Sequence, residues 1–246
     1  AREPSATGLT YAGGTRIDVT AKSDRSLFTW TPGDALRYIG YATDAGVLHS
    51  AAIDEVPVVT ATRTFELFAG LACPESPTVT DIDGNVYRNV QIGGQCWLAE
   101  NLRSNTYANG DPIPNVTDGN QWVGLTTGAW ALYENMSFYE NPYGKLYNWY
   151  AVADPRNVCP TNWHVPTDAE WNTLVTYLDP ANGNNGEYSS TAGGKMKSTG
   201  TQYWQAPNTG ATNESGFSGL PGGNRNYYDG YFYLLGNDGN WWSASE

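Results

Sequence analysis

Residues 159–171 read Cys-Pro-Thr-Asn-Trp-His-Val-Pro-Thr-Asp-Ala-Glu-Trp, and Asn-Thr-Leu-Val-Thr-Tyr-Leu-Asp-Pro follows to Pro180. Thr167-Asp-Ala-Glu170 has the spacing of a capping box: the Thr167 hydroxyl can accept from the Glu170 amide while the Glu170 side chain reaches back. Trp171, Leu174, Val175 and Leu178 then recur at i, i+3, i+4 and i+7, which places them on one apolar helical face. Pro180 cannot continue the ladder and stops it. This is the clearest helix of the chain and the stretch on which its fold turns. A second helix is predicted just upstream, over Leu146–Ala153, ending before Asp154-Pro155.

Further toward the N-terminus the pattern changes to strands. Thr78–Ile92 reads as a hairpin, because two alternating runs flank Asp83-Gly84, a tight-turn dipeptide. Asp81-x-Asp83-Gly84 also has the look of a calcium loop, but the carboxylate such a loop needs twelve positions along is absent, so a turn is expected. Ala69–Pro77 is a small-residue, Pro-rich linker. Before it, Thr15–Ala21, Leu27–Trp30 and Val56–Phe68 are rich in β-branched and aromatic residues and separated by Gly13-Gly14 and Pro32-Gly33. A small Ig-like sandwich over residues 1–72, serving as a β-domain or spacer, is the expectation.

Toward the C-terminus, residues 182–200 are dominated by Gly, Asn, Ser and Thr and read as surface loop. The tail from Gly216 to Glu246 mixes repeated Gly with Tyr, Asn, Phe and Trp, which suits short strands joined by exposed turns. Tyr supplies large, stiff contact area and Asn supplies adaptable hydrogen bonds, the chemistry of antibody-like paratopes. The tail also resembles the variable region of proteins diversified by retroelements, and by that resemblance Asn224, Asn226, Tyr227, Tyr228, Tyr231, Tyr233, Asn237, Asp238 and Asn240 would present the ligand face. The plainer reading is that these tyrosines cover a sheet and the Gly-Asn pairs are turns. Trp241 and Trp242 are expected in the core.

Composition narrows the function classes. Charged residues make up 15% of the 246 residues and the formal net charge is -12. No basic cluster exists, so nucleic acid and anionic lipid surfaces are not expected as partners of this chain on electrostatic grounds. With few ionised groups, the surface must be Asn, Thr, Ser, Gly and Tyr, as in extracellular β-rich proteins. Ten Trp and seventeen Tyr exceed what packing demands and suit a recognition surface. No apolar run is long enough to span a bilayer. Ala1-Arg-Glu-Pro4 carries no signal-peptide core, so the chain reads as a mature or trimmed product.

Catalytic machinery is not legible. The three cysteines, Cys73, Cys96 and Cys159, lack zinc spacing; an odd count outside the cell suggests one disulfide plus one unmatched thiol. Cys73 and Cys96 close the shorter loop and are the expected pair. No nucleophile elbow, phosphate loop or metalloprotease helix is present. His164 is expected to be buried and hydrogen-bonded. Two carboxylate pairs could serve hydrolysis: Asp168 with Glu170, already explained by the helix dipole, and Glu134 with Glu140, in an aromatic loop with Trp130, Tyr133, Phe138 and Tyr139. No cofactor is expected; Asn213, Glu214, Asp229 and Asp238 are loop oxygens that could be calcium candidates of the kind lectin-like folds hold, but no spacing rule joins them.

These motifs also carry a resemblance. Val79–Tyr87, Gln95-Cys-Trp-Leu-Ala-Glu-Asn-Leu102, Tyr143–Ala151, Cys159–Trp171, Gly193-Gly-Lys-Met-Lys197, Asn208–Phe217, Leu220-Pro-Gly-Gly223 and Trp241-Trp-Ser243 occur in the order found in the Fibrobacter succinogenes major paralogous domain. The resemblance spans about residue 73 to the end. Its Val-Pro-Thr-Asp-Ala-Glu-Trp helix start is similar to that of formylglycine-generating-enzyme-like domains. It therefore implies an α+β C-type-lectin-like fold over 73–246, behind the all-β Ig-like segment, on an exported bacterial protein. It also implies a further C-terminal segment holding a partner for Cys159, so a domain truncated at its C-terminus is expected. Formylglycine-generating enzymes use late cysteines that this chain lacks, so no oxidase chemistry is implied.

Together these readings predict a non-catalytic, adhesin-like binding protein at the bacterial cell surface or outside the cell. Its partner would be a glycan or protein on another cell or subunit, met without membrane insertion. The alternative is a structural subunit of a surface filament or layer, assembled by strand exchange.

Overall fold

The computed structural model describes Cys73, residues 78–182 and residues 189–245, together with the backbone of five strands before them. The chain divides into two compact units, Ala1–Ala72 and Cys73–Glu246.

In the first unit, β1 (Leu9–Tyr11) pairs antiparallel with β2 (Arg16–Ile17) and parallel with β5 (Glu66–Leu67). A separate antiparallel pair, β3 (Leu36–Asp44) with β4 (Val47–Glu55), runs in unbroken register from Leu36↔Glu55 to Asp44↔Val47. This long hairpin was not singled out in the sequence. The predicted strand at Leu27–Trp30, and most of Thr15–Ala21 and Val56–Phe68, lie outside the described residues.

The second unit mixes small antiparallel sheets with short helices. The expected hairpin is present: β6 (Thr78–Thr80) pairs with β7 (Val86–Ile92), which pairs with β8 (Gln95–Leu98) in the order β6-β7-β8. Gly84 takes the left-handed φ of +85° that the turn requires. Asp81 ties the turn from inside, accepting from the Asn85 amide at 2.8 Å and from the hydroxyls of Tyr87 and Ser104 at 2.7 Å each. Asp83 instead straps the turn to Asn105 and Thr106. Both carboxylates serve the turn and its neighbours: Asp81 is buried and needs these partners, while Asp83 is exposed.

Next come α1 (Gly119–Val123), β9 (Trp130–Ala131), a single turn α2 (Glu140–Tyr143), β10 (Leu146–Tyr147) and α3 (Trp149–Val152). The predicted helix over Leu146–Ala153 is thus corrected to a strand followed by one helical turn. Asn148 makes the break: its side chain accepts from the Ala151 and Ala129 amides, capping α3 and holding the preceding residues extended against β9.

The capped helix is α4 (Asp168–Leu178), with both arms of the Thr167–Glu170 box formed. Leu174 and Leu178 are buried against Val90, Ile92, Trp97 and Phe217, with Trp171 and Val175 packed alongside. Each buried leucine contributes about 1.5–3 kcal/mol. The segment read as loop contains a further helical turn, α5 (Ala192–Met196), whose Ala192 and Met196 enter the same core. A second core gathers Tyr107, Ile113, Tyr147, Val152, Val158 and Cys159. The chain then forms a last hairpin, β11 (Gly222–Arg225) with β12 (Phe232–Leu235). Cys73 and Cys96 form a disulfide, and Cys159 is free and buried.

Candidate binding face

The β11–β12 hairpin is positioned by one side chain. Arg225 is buried, and its guanidinium donates to the carbonyls of Val116, Thr117 (3.0 Å) and Gly230 (2.9 Å). It also lies over the Trp122 ring at 4.4 Å and the Phe232 ring at 4.8 Å. Trp122 belongs to α1, whose N-cap Asp118 accepts from the Gln121 amide at 2.8 Å. Burial lowers the Arg225 pKa, opposed by the nearby Asp118 charge. The cation is therefore solvated by carbonyls and rings rather than by a paired carboxylate, which satisfies its donors in a fixed fork. Backbone contact seals the joint. A methyl group added at Gly230 (φ +73°) would lie 2.4 Å from the Gly119 carbonyl oxygen, so only glycine fits there.

Register places Phe232 opposite Arg225, facing Trp122, and Tyr233 opposite Asn224 on the other side of the ribbon. The tip between the strands is tied by its own groups. The Asn226 amide donates to the Tyr231 carbonyl at 2.8 Å, and Gly230 N–H returns to the Asn226 carbonyl at 3.0 Å. Asn226 Oδ1 accepts from the Tyr228 amide, and Asp229 accepts from the Tyr231 amide and the Tyr233 hydroxyl. That last bond raises the Tyr233 pKa, since it holds the phenol proton on a carboxylate. With backbone and polar groups committed inward, the rings go outward: Tyr227, Tyr228, Tyr231 and Tyr233 are 65%, 75%, 68% and 41% exposed. Tyr227 and Tyr228 rest against each other, ring centroids 3.9 Å apart.

The nine candidate residues do not form one face. Asn226, Tyr227, Tyr228, Tyr231 and Tyr233 gather at the tip, with Asn224 half-buried beneath Tyr233. Asn237, Asp238 and Asn240 lie beyond the other end of the hairpin. There the Asp238 carbonyl accepts from the Gly223 amide, and the Asn240 side chain donates to the Gly223 carbonyl, so these residues brace β11. The aromatic loop comes beside the hairpin instead: Tyr133 meets Phe232 at 5.4 Å and Tyr139 at 5.5 Å, and Phe138 projects into solvent. Two residues of the site, Arg225 as anchor and Asp229 as organiser of the tip, were not read as such. Asp229 was legible only as a possible cation ligand, and Arg225 only as the last cation of the chain.

His164 is exposed rather than buried, hydrogen-bonded to Glu170 at 2.8 Å beside the α4 cap. Trp241 and Trp242 are 38% and 44% exposed rather than enclosed, although Trp241 packs on Phe217 and Trp242 donates to the Tyr147 carbonyl. Glu140 is engaged by the buried Lys145, and Asp168 by Ser243, so neither carboxylate pair stands free. Asn213 is buried against Ser218, Glu214 pairs with Lys195 at 2.9 Å, and Asp229 holds the hairpin tip. Among the described residues no cluster of three or more His, Cys, Asp or Glu could hold a metal, and no helix is long and apolar enough to cross a membrane.

One large cavity, about 920 Å³, lies away from the tip, lined by β8 and by Trp163, His164, Trp171, Trp241, Trp242 and Cys159 among others. Burial pushes the Cys159 thiol up to about 12, so it is not a nucleophile near neutral pH.

Among known proteins, no curated protein and no solved structure matches the chain. The family described as the Fibrobacter succinogenes major domain matches over residues 90–246, well over half of the sequence. The chain belongs to the Fibrobacter succinogenes major domain family.

Proposed function

We propose that residues 73–246 are a non-catalytic contact module of C-type-lectin-like architecture, carried behind an Ig-like β-unit and displayed outside a bacterial cell. The observation that carries this reading is the hairpin tip: four tyrosines held in solvent on a loop whose own hydrogen bonds are already made. Rings pre-positioned in this way offer apolar area without an ordering cost on binding. The disulfide suits an oxidising compartment, and the low charge content suits a hydrogen-bonding extracellular surface. The ligand class is a glycan or a protein, bound reversibly with no bond broken.

The test is a glycan array and a host-protein pull-down with the full chain and its Tyr228→Ala/Tyr231→Ala double variant. The contact reading expects capture to fall at least about tenfold in the variant, the loss of about 1.4 kcal/mol or more that two anchoring rings supply. Capture unchanged in a folded variant counts against this face.

The alternative, a subunit of a surface filament or layer, is favoured by the cavity beside β8, whose outer edge borders no further strand among the described residues. Concentration-dependent assembly in solution would support it over reversible ligand capture.

A further inference from the structure

The chemistry around the tip selects among ligands. From Ser104 to Gly144, the stretch that forms α1 and the aromatic loop, the sequence contains no Lys or Arg; from Asn226 to Glu246 it contains none either. Arg225, which joins the two, is buried and spends its guanidinium on three carbonyls. Acidic groups do occur there. Asp118 caps α1 and is exposed; Asp229 is exposed in the tip; Glu134 is exposed in the turn whose Asn135 donates to the Thr117 carbonyl. Gly119, next to Asp118, touches Gly230, next to Asp229, so two carboxylates flank one joint. The tip is thus a set of electron-rich phenol faces with carboxylates beside them, and the one cation these stretches adjoin, Arg225, is buried and already committed to carbonyls, with Asp118 near it.

Resting on the contact reading above, we infer that the partner met by this tip is a cationic polypeptide segment, one presenting Arg or Lys side chains, rather than a neutral glycan. A guanidinium can lie on the faces of Tyr228 and Tyr231 and reach the Asp229 carboxylate, which Tyr231 N–H and Tyr233 O–H already hold in place. The fold performs the same pairing internally with both kinds of cation: Arg225 sits on Trp122 and Phe232, Arg103 on Tyr87 and Arg156 on Tyr107, while Lys145 sits on Trp130 and Lys197 on Trp204. The net charge of -12 adds long-range attraction for such a partner and slows approach of an acidic one.

The experiment measures binding of the full chain to octa-arginine, octa-lysine, an uncharged Gly-Ser peptide of equal length and cellohexaose, at about 50 and 500 mM salt. The variants are Tyr228→Ala/Tyr231→Ala, which leaves net charge unchanged, and Asp229→Asn, which retains an acceptor for the Tyr231 amide. The inference expects both cationic peptides to bind, octa-arginine more tightly than octa-lysine, because a planar guanidinium adds stacking to the cation–π contact that an ammonium also makes. It expects affinity to fall about tenfold or more over the salt range and to be lost in the tyrosine variant and weakened several-fold in Asp229→Asn. Equal octa-arginine binding by the tyrosine variant would mean that overall charge alone attracts the peptide, and overturns the inference. Binding of cellohexaose or the Gly-Ser peptide that disappears in the tyrosine variant also overturns it, while leaving the contact reading in place. Absence of binding by every probe overturns it as well; the contact reading is then judged by the array and pull-down alone.

Discussion

At the scale of single residues, Arg225 and Gly230 hold the proposed face in position, and each makes a prediction. Arg225→Met keeps much of the apolar stem but leaves the Val116, Thr117 and Gly230 carbonyls without their donor. Denaturant unfolding should show a loss of about 2–3 kcal/mol, the cost of stranding buried acceptors. Arg225→Lys should recover only part of it, because one ammonium cannot serve a three-way planar fork. Gly230→Ala places a methyl group against the Gly119 backbone at an unfavourable φ. The tip must then lift off α1, and hydrogen exchange at the amides of residues 226–231 should accelerate while that of α4 stays unchanged. The tyrosines themselves were legible in the sequence as a recognition composition. Their anchor was not, because two of the three carbonyls that hold Arg225 come from residues 108 and 109 positions earlier.

At the scale of elements, what could be read was what local chemistry determines. The capping box, the apolar face of α4 and the Asp83-Gly84 turn each depend on residues within a few positions, and all three are present. Thr167→Ala should therefore cost about 1 kcal/mol of stability in thermal or denaturant unfolding, through loss of the cap. What could not be read depends on distant contacts. The α5 turn contains Gly193-Gly194, poor helix formers, yet it forms because neighbours pin it. The Thr212 amide donates to the Gly194 carbonyl, the Ser215 amide donates to the Lys195 carbonyl, and Ala192 and Met196 reach the core. The Leu146–Ala153 segment has helical composition, but pairing with β9 extends its first two residues. Trp241 and Trp242 looked like core because they are large and apolar; each is half-committed, one edge bonded inward and one face at the cavity.

At the scale of the whole molecule, carboxylates set the acid limit. Burial alone would raise the Asp81 pKa, but hydrogen bonds from Asn85, Ser104 and Tyr87 outweigh it and hold the group below its ordinary 3.8. The Arg156 side chain holds Asp154 at about 2. A carboxyl with a depressed folded pKa contributes stability that is complete above its unfolded pKa and lost as pH falls through the folded value. Melting temperature should thus be nearly level from pH 7 to about 5 and drop between about pH 4 and 2. Asp81→Asn should remove part of that drop, and a profile still level at pH 2 would contradict these assignments. Phenols divide between the two environments: Tyr87, Tyr107 and Tyr147 are buried, while Tyr227, Tyr228 and Tyr231 stand in solvent and carry the proposed contact role.

The most direct test of the proposed role is tyrosine footprinting with tetranitromethane, read by peptide mapping on the full chain, free and captured on immobilised octa-arginine or on a partner from the array or pull-down. The account predicts fast nitration of Tyr227, Tyr228 and Tyr231 in the free protein, slow nitration of the buried Tyr87, Tyr107 and Tyr147, and protection of the first three on capture. Capture that leaves those three as reactive as before would contradict it.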